Sequence, residues 1–268
     1  MAYTKTIDRL HPGFIMFLLD QSYSMIQDLP DRPGVSKAQG VAEAINELLF
    51  TIVRRCNKDL NRPPRHYYDI GIIGYGQEVR PMFAGSLAGR VLASVEEIAN
   101  AQIRIETRDG AQLPVWFDPV TQGNTPMCSA LNLAGEVANG WLQAHPHSFP
   151  PIVINITDGQ STDGDPAVWV ERLRALNNAD GNLLYFAINM SAAGRPVLFP
   201  AEDVELPDEH SKALFRTTSE LPAVMCVRAV ELGLRTAPGA RGFVCNAGMR
   251  VLVDFLSVGT SVERLEAS

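Results

Sequence analysis

The six consecutive apolar residues Phe14-Ile15-Met16-Phe17-Leu18-Leu19, preceded by Gly13 and ended by Asp20, constrain this chain more than any other stretch. An apolar run of that length reads as a strand buried on both faces, the pattern of a parallel sheet covered by helices on each side. Asp20 then stands at the carboxyl end of the strand, the edge at which open α/β sheets place their ligands. Ser22 and Ser24 follow at alternate positions, and a tight loop there aims three oxygen-bearing side chains at one point. Oxygens with a single charge among them suit a hard cation such as Mg²⁺. Asp and Ser after a strand are also ordinary turn and capping residues, so this stretch alone leaves both readings open.

Two later segments bear on that choice. Pro151-Ile152-Val153-Ile154-Asn155-Ile156-Thr157-Asp158 repeats the pattern of an apolar strand ended by a carboxylate. If the two strands are adjacent and parallel, Asp20 and Asp158 reach the same edge, because parallel strands share their carboxyl ends. In Gly123-Asn124-Thr125-Pro126, proline suits the first position of a helix whose apolar stripe runs through Ala130, Leu131, Ala134, Val137, Ala138 and Trp141. Thr125 therefore sits at a helix N-terminus, as a cap or as a third hydroxyl directed at the ion. Asp163 and Asp165 are left out of the site, since Asp165-Pro166 reads as the cap and first turn of a helix through Val170, Leu173 and Leu176.

The rest of the chain supplies the frame. Ser36 precedes a long amphipathic helix with apolar positions Val41, Ala42, Ile45, Leu48, Leu49, Ile52 and Val53. The loop before it, Met25 to Val35, leaves the Asp20 loop directly and is a candidate source of partner specificity or a plain solvated loop. Asp69 to Tyr75 and Asn182 to Asn189 read as further buried strands, and Val79 to Ala84 as an edge strand marked by Pro81. The glycines at 71 and 74 indicate close backbone packing, since Gly74-Tyr75-Gly76 has neither dinucleotide spacing nor a phosphate-loop lysine. Val91, Leu92, Val95, Ile98 and Ala99 suggest a short helix. Periodicity disappears from Glu106 to Gly123, where Trp116 and Phe117 are either exposed interface anchors or a cover for part of the core. Leu214-Phe215-Arg216 suggests a last short strand, and Ala223 to Leu234 and Ala247 to Leu256 read as helices with Gly233 and Gly259 near their ends.

With 46% hydrophobic and 20% charged residues, a chain of 268 residues can bury a sizeable core, and no linker divides it. A single domain over residues 1–268 is expected. The formal net charge of -7 disfavours nucleic acid and anionic lipid as partners. No apolar run reaches the roughly 18 residues of a membrane span, and the start lacks a signal-like segment, so a cytoplasmic location is expected. Cys56, Cys128, Cys226 and Cys245 are scattered and suggest buried thiols rather than zinc ligands or disulfides. The pair His145 and His147, beside prolines at a helix exit, reads as a solvated loop.

Asp-x-Ser-x-Ser at 20–24, Thr125 in Gly-Asn-Thr-Pro and Asp158 in Thr-Asp-Gly together resemble the von Willebrand factor type A family, with the match running from roughly Pro12 to Val258. The resemblance implies an α/β fold with a doubly wound, mostly parallel sheet flanked by helices. It also implies a metal-ion-dependent adhesion site formed by Asp20, Ser22, Ser24, Thr125 and Asp158. Such a site would hold Mg²⁺, or alternatively Mn²⁺ or Ca²⁺. Tyr23 departs from the small residue common at its place and would narrow access to the ion, and the stretch from Arg104 to Thr121 is an insertion that the resemblance does not explain. The chain looks like the bacterial intracellular branch, some members of which are similar to tellurite-resistance-associated proteins found with a kinase and a phosphatase.

The expected function is that of a protein–protein interaction module, not an enzyme, in which the cation captures an Asp or Glu of another protein. The Met25 to Val35 and Arg104 to Asn124 loops would set selectivity. The competing expectation is a metal-dependent phosphotransfer or hydrolytic enzyme using the same strand-end Asp, which requires a nucleophile or general base near the ion. Neither a second Asp at position 22 nor a G-x-S-x-G elbow is present.

Overall fold

A computed structural model describes residues 2–57, 63–108, 110–190 and 195–260. Residues 1, 58–62, 109, 191–194 and 261–268 lie outside the described residues. The apolar run forms strand β1 (Gly13–Asp20), buried at all eight positions. Helix α1 (Lys37–Cys56) starts at the expected cap, with Ser36 Oγ accepting the Gln39 backbone N–H at 3.1 Å. There follow β2 (Tyr68–Tyr75), β3 (Val79–Pro81), β4 (Leu92–Ser94) and α2 (Val95–Ala99). The second half contributes α3 (Met127–Ala144), β5 (Ile152–Thr157), α4 (Pro166–Ala175), β6 (Leu184–Asn189) and β7 (Val197–Leu198). It ends with α5 (Glu209–Thr217), α6 (Ala223–Glu231), β8 (Phe243–Cys245) and α7 (Met249–Gly259).

These eight strands form one sheet in the order β7-β8-β6-β5-β1-β2-β3, with β4 pairing β2. The pairs among β8, β6, β5, β1 and β2 are parallel, and β7, β3 and β4 add antiparallel edges. After β2 the chain returns to the other side of β1, so the order reverses between β1 and β5. Asp20 at the end of β1 and Asp158 just after β5 come together at the strands' carboxyl edge at this switch point. Alternate residues of β1 face opposite layers: Ile15, Phe17 and Leu19 pack with Ile45, Leu49 and Phe255, while Phe14, Met16 and Leu18 pack with Leu131, Trp141 and Leu173. Each such buried side chain contributes about 1.5–3 kcal/mol. No helix among the described residues is long and apolar enough to cross a membrane.

Gly71 and Gly74 do mark close approaches, since a Cβ there would stand 2.6 Å from Met16 and Gln21 side-chain atoms respectively. Two expectations are corrected, and the open choice at Trp116 and Phe117 is decided for a cover of the core. Leu214 to Arg216 is helical, because Asp208 Oδ1 accepts the Ser211 N–H at 2.7 Å and starts α5. The Met25 to Val35 loop is a small hairpin, Asp28–Leu29 with Arg32–Ser36, anchored by buried Leu29 and by Asp31, whose carboxylate accepts the Met249 N–H at 2.9 Å. Trp116 and Phe117 are 2% and 1% exposed, which removes them as interface anchors. They follow a hairpin, Arg104–Arg108 with Ala111–Val115, that fills most of the insertion. Trp116 donates from Nε1 to the Ile98 carbonyl at 2.6 Å and from its backbone to Asn46 Oδ1 at 2.8 Å.

At the opposite end of β2, Asp69 accepts from His66 Nε2 at 2.7 Å and Trp141 Nε1 at 2.9 Å, tying the strand to α3. Burial pushes the Asp69 carboxyl up, but these two hydrogen bonds outweigh it and hold it below the usual range. The hydrogen bond to Asp69 raises His66 against the opposing effect of burial. A raised histidine stabilises the fold below its unfolded value, about 6.5, and the benefit fades as pH rises through the folded value. The depressed Asp69 contributes above about pH 4 and loses its contribution as pH falls through its folded value. For His66→Gln, thermal unfolding should therefore show the widest gap from wild type near pH 5 and convergence by about pH 8. A gap that widens toward alkaline pH would contradict the pairing.

Candidate metal centre

Asp20 is 2% exposed, and both of its oxygens are engaged by neighbouring loops. Oδ1 accepts the Ser22 N–H at 2.8 Å, closing a turn that lifts Ser22 and Ser24 onto the sheet edge, and Oδ2 accepts from Thr157 Oγ1 at 2.6 Å. The pairing Leu19↔Ile156 places Thr157 beside Asp20, so parallel register sets this contact. Ser22 Oγ and Ser24 Oγ are 2.9 Å apart, and Ser24 Oγ donates to Asp158 Oδ1 at 2.5 Å. Burial raises the Asp20 carboxyl, and the nearby Asp158 charge adds to that. Hydrogen bonds from Thr157 and Ser22 act the other way.

Thr125 reaches the same corner from the turn before α3. Its N–H donates to Thr162 Oγ1 at 3.1 Å, and its carbonyl accepts from Thr162 N–H at 2.9 Å, which binds this turn to the loop after β5. A Cβ on Gly159 would lie 3.8 Å from Thr125 Oγ1 and 3.9 Å from Ser24 Oγ, so the two hydroxyls flank one point. Thr125 does not cap α3. Asp163 does: its carboxylate accepts the N–H groups of Cys128 and Ser129, each at 2.9 Å, and the Ser129 hydroxyl at 2.7 Å. Burial opposes ionisation of Asp163, yet these donors keep its carboxyl below the usual range. Asp165 caps α4 as expected, accepting the Ala167 N–H at 2.9 Å.

The structure thus brings Asp20, Ser22, Ser24, Thr125 and Asp158 to one corner. It also brings a residue that no sequence motif marks. Lys37 Nζ donates to Asp158 Oδ2 at 2.7 Å and to Gln27 Oε1 at 3.0 Å, and the Lys37 and Asp158 side chains are 3% and 1% exposed. A weaker sequence signal for it exists. Lys37 is the first residue of α1, and a cation in a first turn opposes the helix dipole unless an anion holds it there.

The donors match a hard divalent cation. Adjacent ligands of an octahedral ion bound at about 2.1 Å stand about 3 Å apart, which is close to the serine hydroxyl separation. Among the described residues no three His, Cys, Asp or Glu side chains form a metal-holding group, so an ion here would depend on the hydroxyls. Close in sequence to the corner's serines, Tyr23 and Ile26 are 66% and 63% exposed, among exposed polar residues such as Gln160 and Thr162.

No family model matches the sequence, and no curated protein matches it. Solved structures do. A von Willebrand factor type A protein from Catenulispora acidiphila aligns with TM-score 0.49 and 12% identity over 94% of this chain and 43% of its own. Proximal thread matrix protein 1 from the mussel byssus aligns with TM-score 0.47 and 15% identity over 94% of this chain and 48% of its own. Manganese-loaded TRAP protein from Plasmodium vivax aligns over 68% of this chain and 59% of its own, with TM-score 0.37 and 15% identity. The chain therefore spans less than half the length of the first two. With TM-scores below 0.5 these likenesses are partial, and the mostly parallel sheet flanked by helices is read from the chain's own strand pairing.

Proposed function

We propose that this chain is a divalent-cation-dependent protein-binding module. The observation that carries the reading is the meeting of two acids and three hydroxyls from three distant segments at the sheet's switch point. Asp20, Ser22, Ser24, Thr125 and Asp158 would together hold Mg²⁺ or Mn²⁺. Hydroxyl ligands add coordination without charge, so the bound ion supplies an electrophilic position for a carboxylate of another protein. Exposed Tyr23 and Ile26 give the partner an apolar rim to bury around that contact. The resemblance to the tellurite-resistance-associated branch makes a co-occurring kinase or phosphatase the first partner to try.

The test is partner capture with and without chelator, using wild type and Asp20→Ala. Wild type should retain the partner in Mg²⁺ and lose most of it in EDTA, and Asp20→Ala should lose it in both. Capture indifferent to both changes would contradict the reading. The enzymatic alternative has one observation in its favour. His210 interacts with the Gly159 backbone, and burial lowers its pKa, which suits a general base. Turnover of phosphoesters with Mg²⁺ or Mn²⁺ that is lost in His210→Gln would favour the enzyme over the binding module.

A further inference from the structure

We infer that Lys37 is a built-in competitor for the cation: its ammonium already neutralises Asp158, so a divalent ion loads the site only by displacing it. This rests on the metal-binding reading and adds how that site is regulated. The charges support it. Asp20 and Asp158 carry two negative charges in a buried corner, and Lys37 returns one of them with a contact of 2.7 Å. An ion added beside the two acids would face this ammonium across a few ångströms of low-dielectric protein, where like charges repel strongly.

Two further features make Lys37 displaceable. It sits in the first turn of α1, where the helix dipole disfavours a cation, so its placement depends on Asp158. Its second partner is the neutral Gln27 amide at 3.0 Å, and the Lys37 N–H donates to the Gln27 carbonyl at 2.8 Å. Gln27 immediately precedes the Asp28–Ser36 hairpin. The ammonium that neutralises Asp158 thus also holds the Gln27 side chain at the hairpin's entry.

The experiment is Mn²⁺ titration of the full chain by calorimetry, comparing wild type, Lys37→Met and Lys37→Arg. Lys37→Met keeps the apolar stem and removes the charge, and should bind Mn²⁺ at least about tenfold more tightly than wild type. Lys37→Arg keeps the charge and should stay within about threefold of wild type. In parallel, acylation of the Lys37 amine in wild type, read by peptide mass spectrometry, should rise several-fold when Mn²⁺ is added. This second readout decides the matter if Lys37→Met does not fold. Equal or weaker Mn²⁺ binding by a folded Lys37→Met, or Lys37 acylation unmoved by saturating Mn²⁺, would overturn the inference and leave the metal site standing. Absence of Mn²⁺ binding in every protein at millimolar concentration would instead remove the metal site itself, and this inference with it.

Discussion

Asp158→Ala, unfolded thermally in EDTA, is expected to lose about 3–5 kcal/mol, because it leaves the Lys37 ammonium buried without its counter-charge. In a chain of this size that corresponds to a fall in Tm of roughly 10 °C. The size follows from burial: the side chains of the pair are 3% and 1% exposed, so water cannot take over the role of Asp158. Lys37→Met in the same background should restore at least half of the loss, since the pair's contribution is small compared with the cost of breaking it. A loss below about 1 kcal/mol is what an exposed ion pair gives, and would contradict the buried geometry.

Gly123→Ala is expected to cost about 2–4 kcal/mol, combining left-handed backbone strain with a backbone collision. Gly123 has φ +89°, and a Cβ there would stand 2.6 Å from Gln77 Cα and collide with the Gln77 backbone nitrogen. Neither neighbour is the free end of a side chain, so the loops themselves would have to part. They meet where the site is assembled: the Tyr23 N–H donates to the Gly123 carbonyl at 3.2 Å, and the Gln122 N–H donates to the Gln21 carbonyl at 2.5 Å. These bonds fasten the segment leading to Thr125 onto the loop that carries Ser22 and Ser24. Urea unfolding should show the stability loss, and Mn²⁺ titration a weaker site. Gly140→Ala in α3 is the control, where nothing lies within 4 Å of an added Cβ and helix propensity favours alanine by roughly 0.5–1 kcal/mol. Equal effects of the two substitutions would contradict the loop packing.

The parts of the fold that were readable from the sequence are those whose pattern is local. β1 and β5 are uninterrupted apolar runs, α1 has a cap followed by a helical stripe, and α4 begins at Asp165-Pro166. The corner was readable because both acids end strands, and parallel pairing then fixes which edge they share. Short elements gave no such signal. Three residues at Leu214 to Arg216 fit a strand or a helix equally, and the deciding group is the Asp208 carboxylate upstream. β4, at Leu92–Ser94, exists by pairing with β2 across some twenty residues of chain, which apolar spacing does not encode. Trp116 is buried by Asn46 and Ile98, both remote in sequence, so its environment is a property of the assembled layer. Lys37 was missed for a different reason. Its unfavourable place in the first turn of α1 hints at an anion, but which anion is set only when the segment after β5 delivers Asp158.

Diffraction from crystals soaked in Mn²⁺, with the ion located by its anomalous scattering, tests the central claim most directly. The expected result is a single strong peak bounded by Asp20, Ser22 Oγ, Ser24 Oγ, Thr125 Oγ1 and Asp158, with Lys37 Nζ withdrawn from Asp158. Crystals saturated with Mn²⁺ that show no peak at this corner, with Lys37 still seated on Asp158, would contradict it.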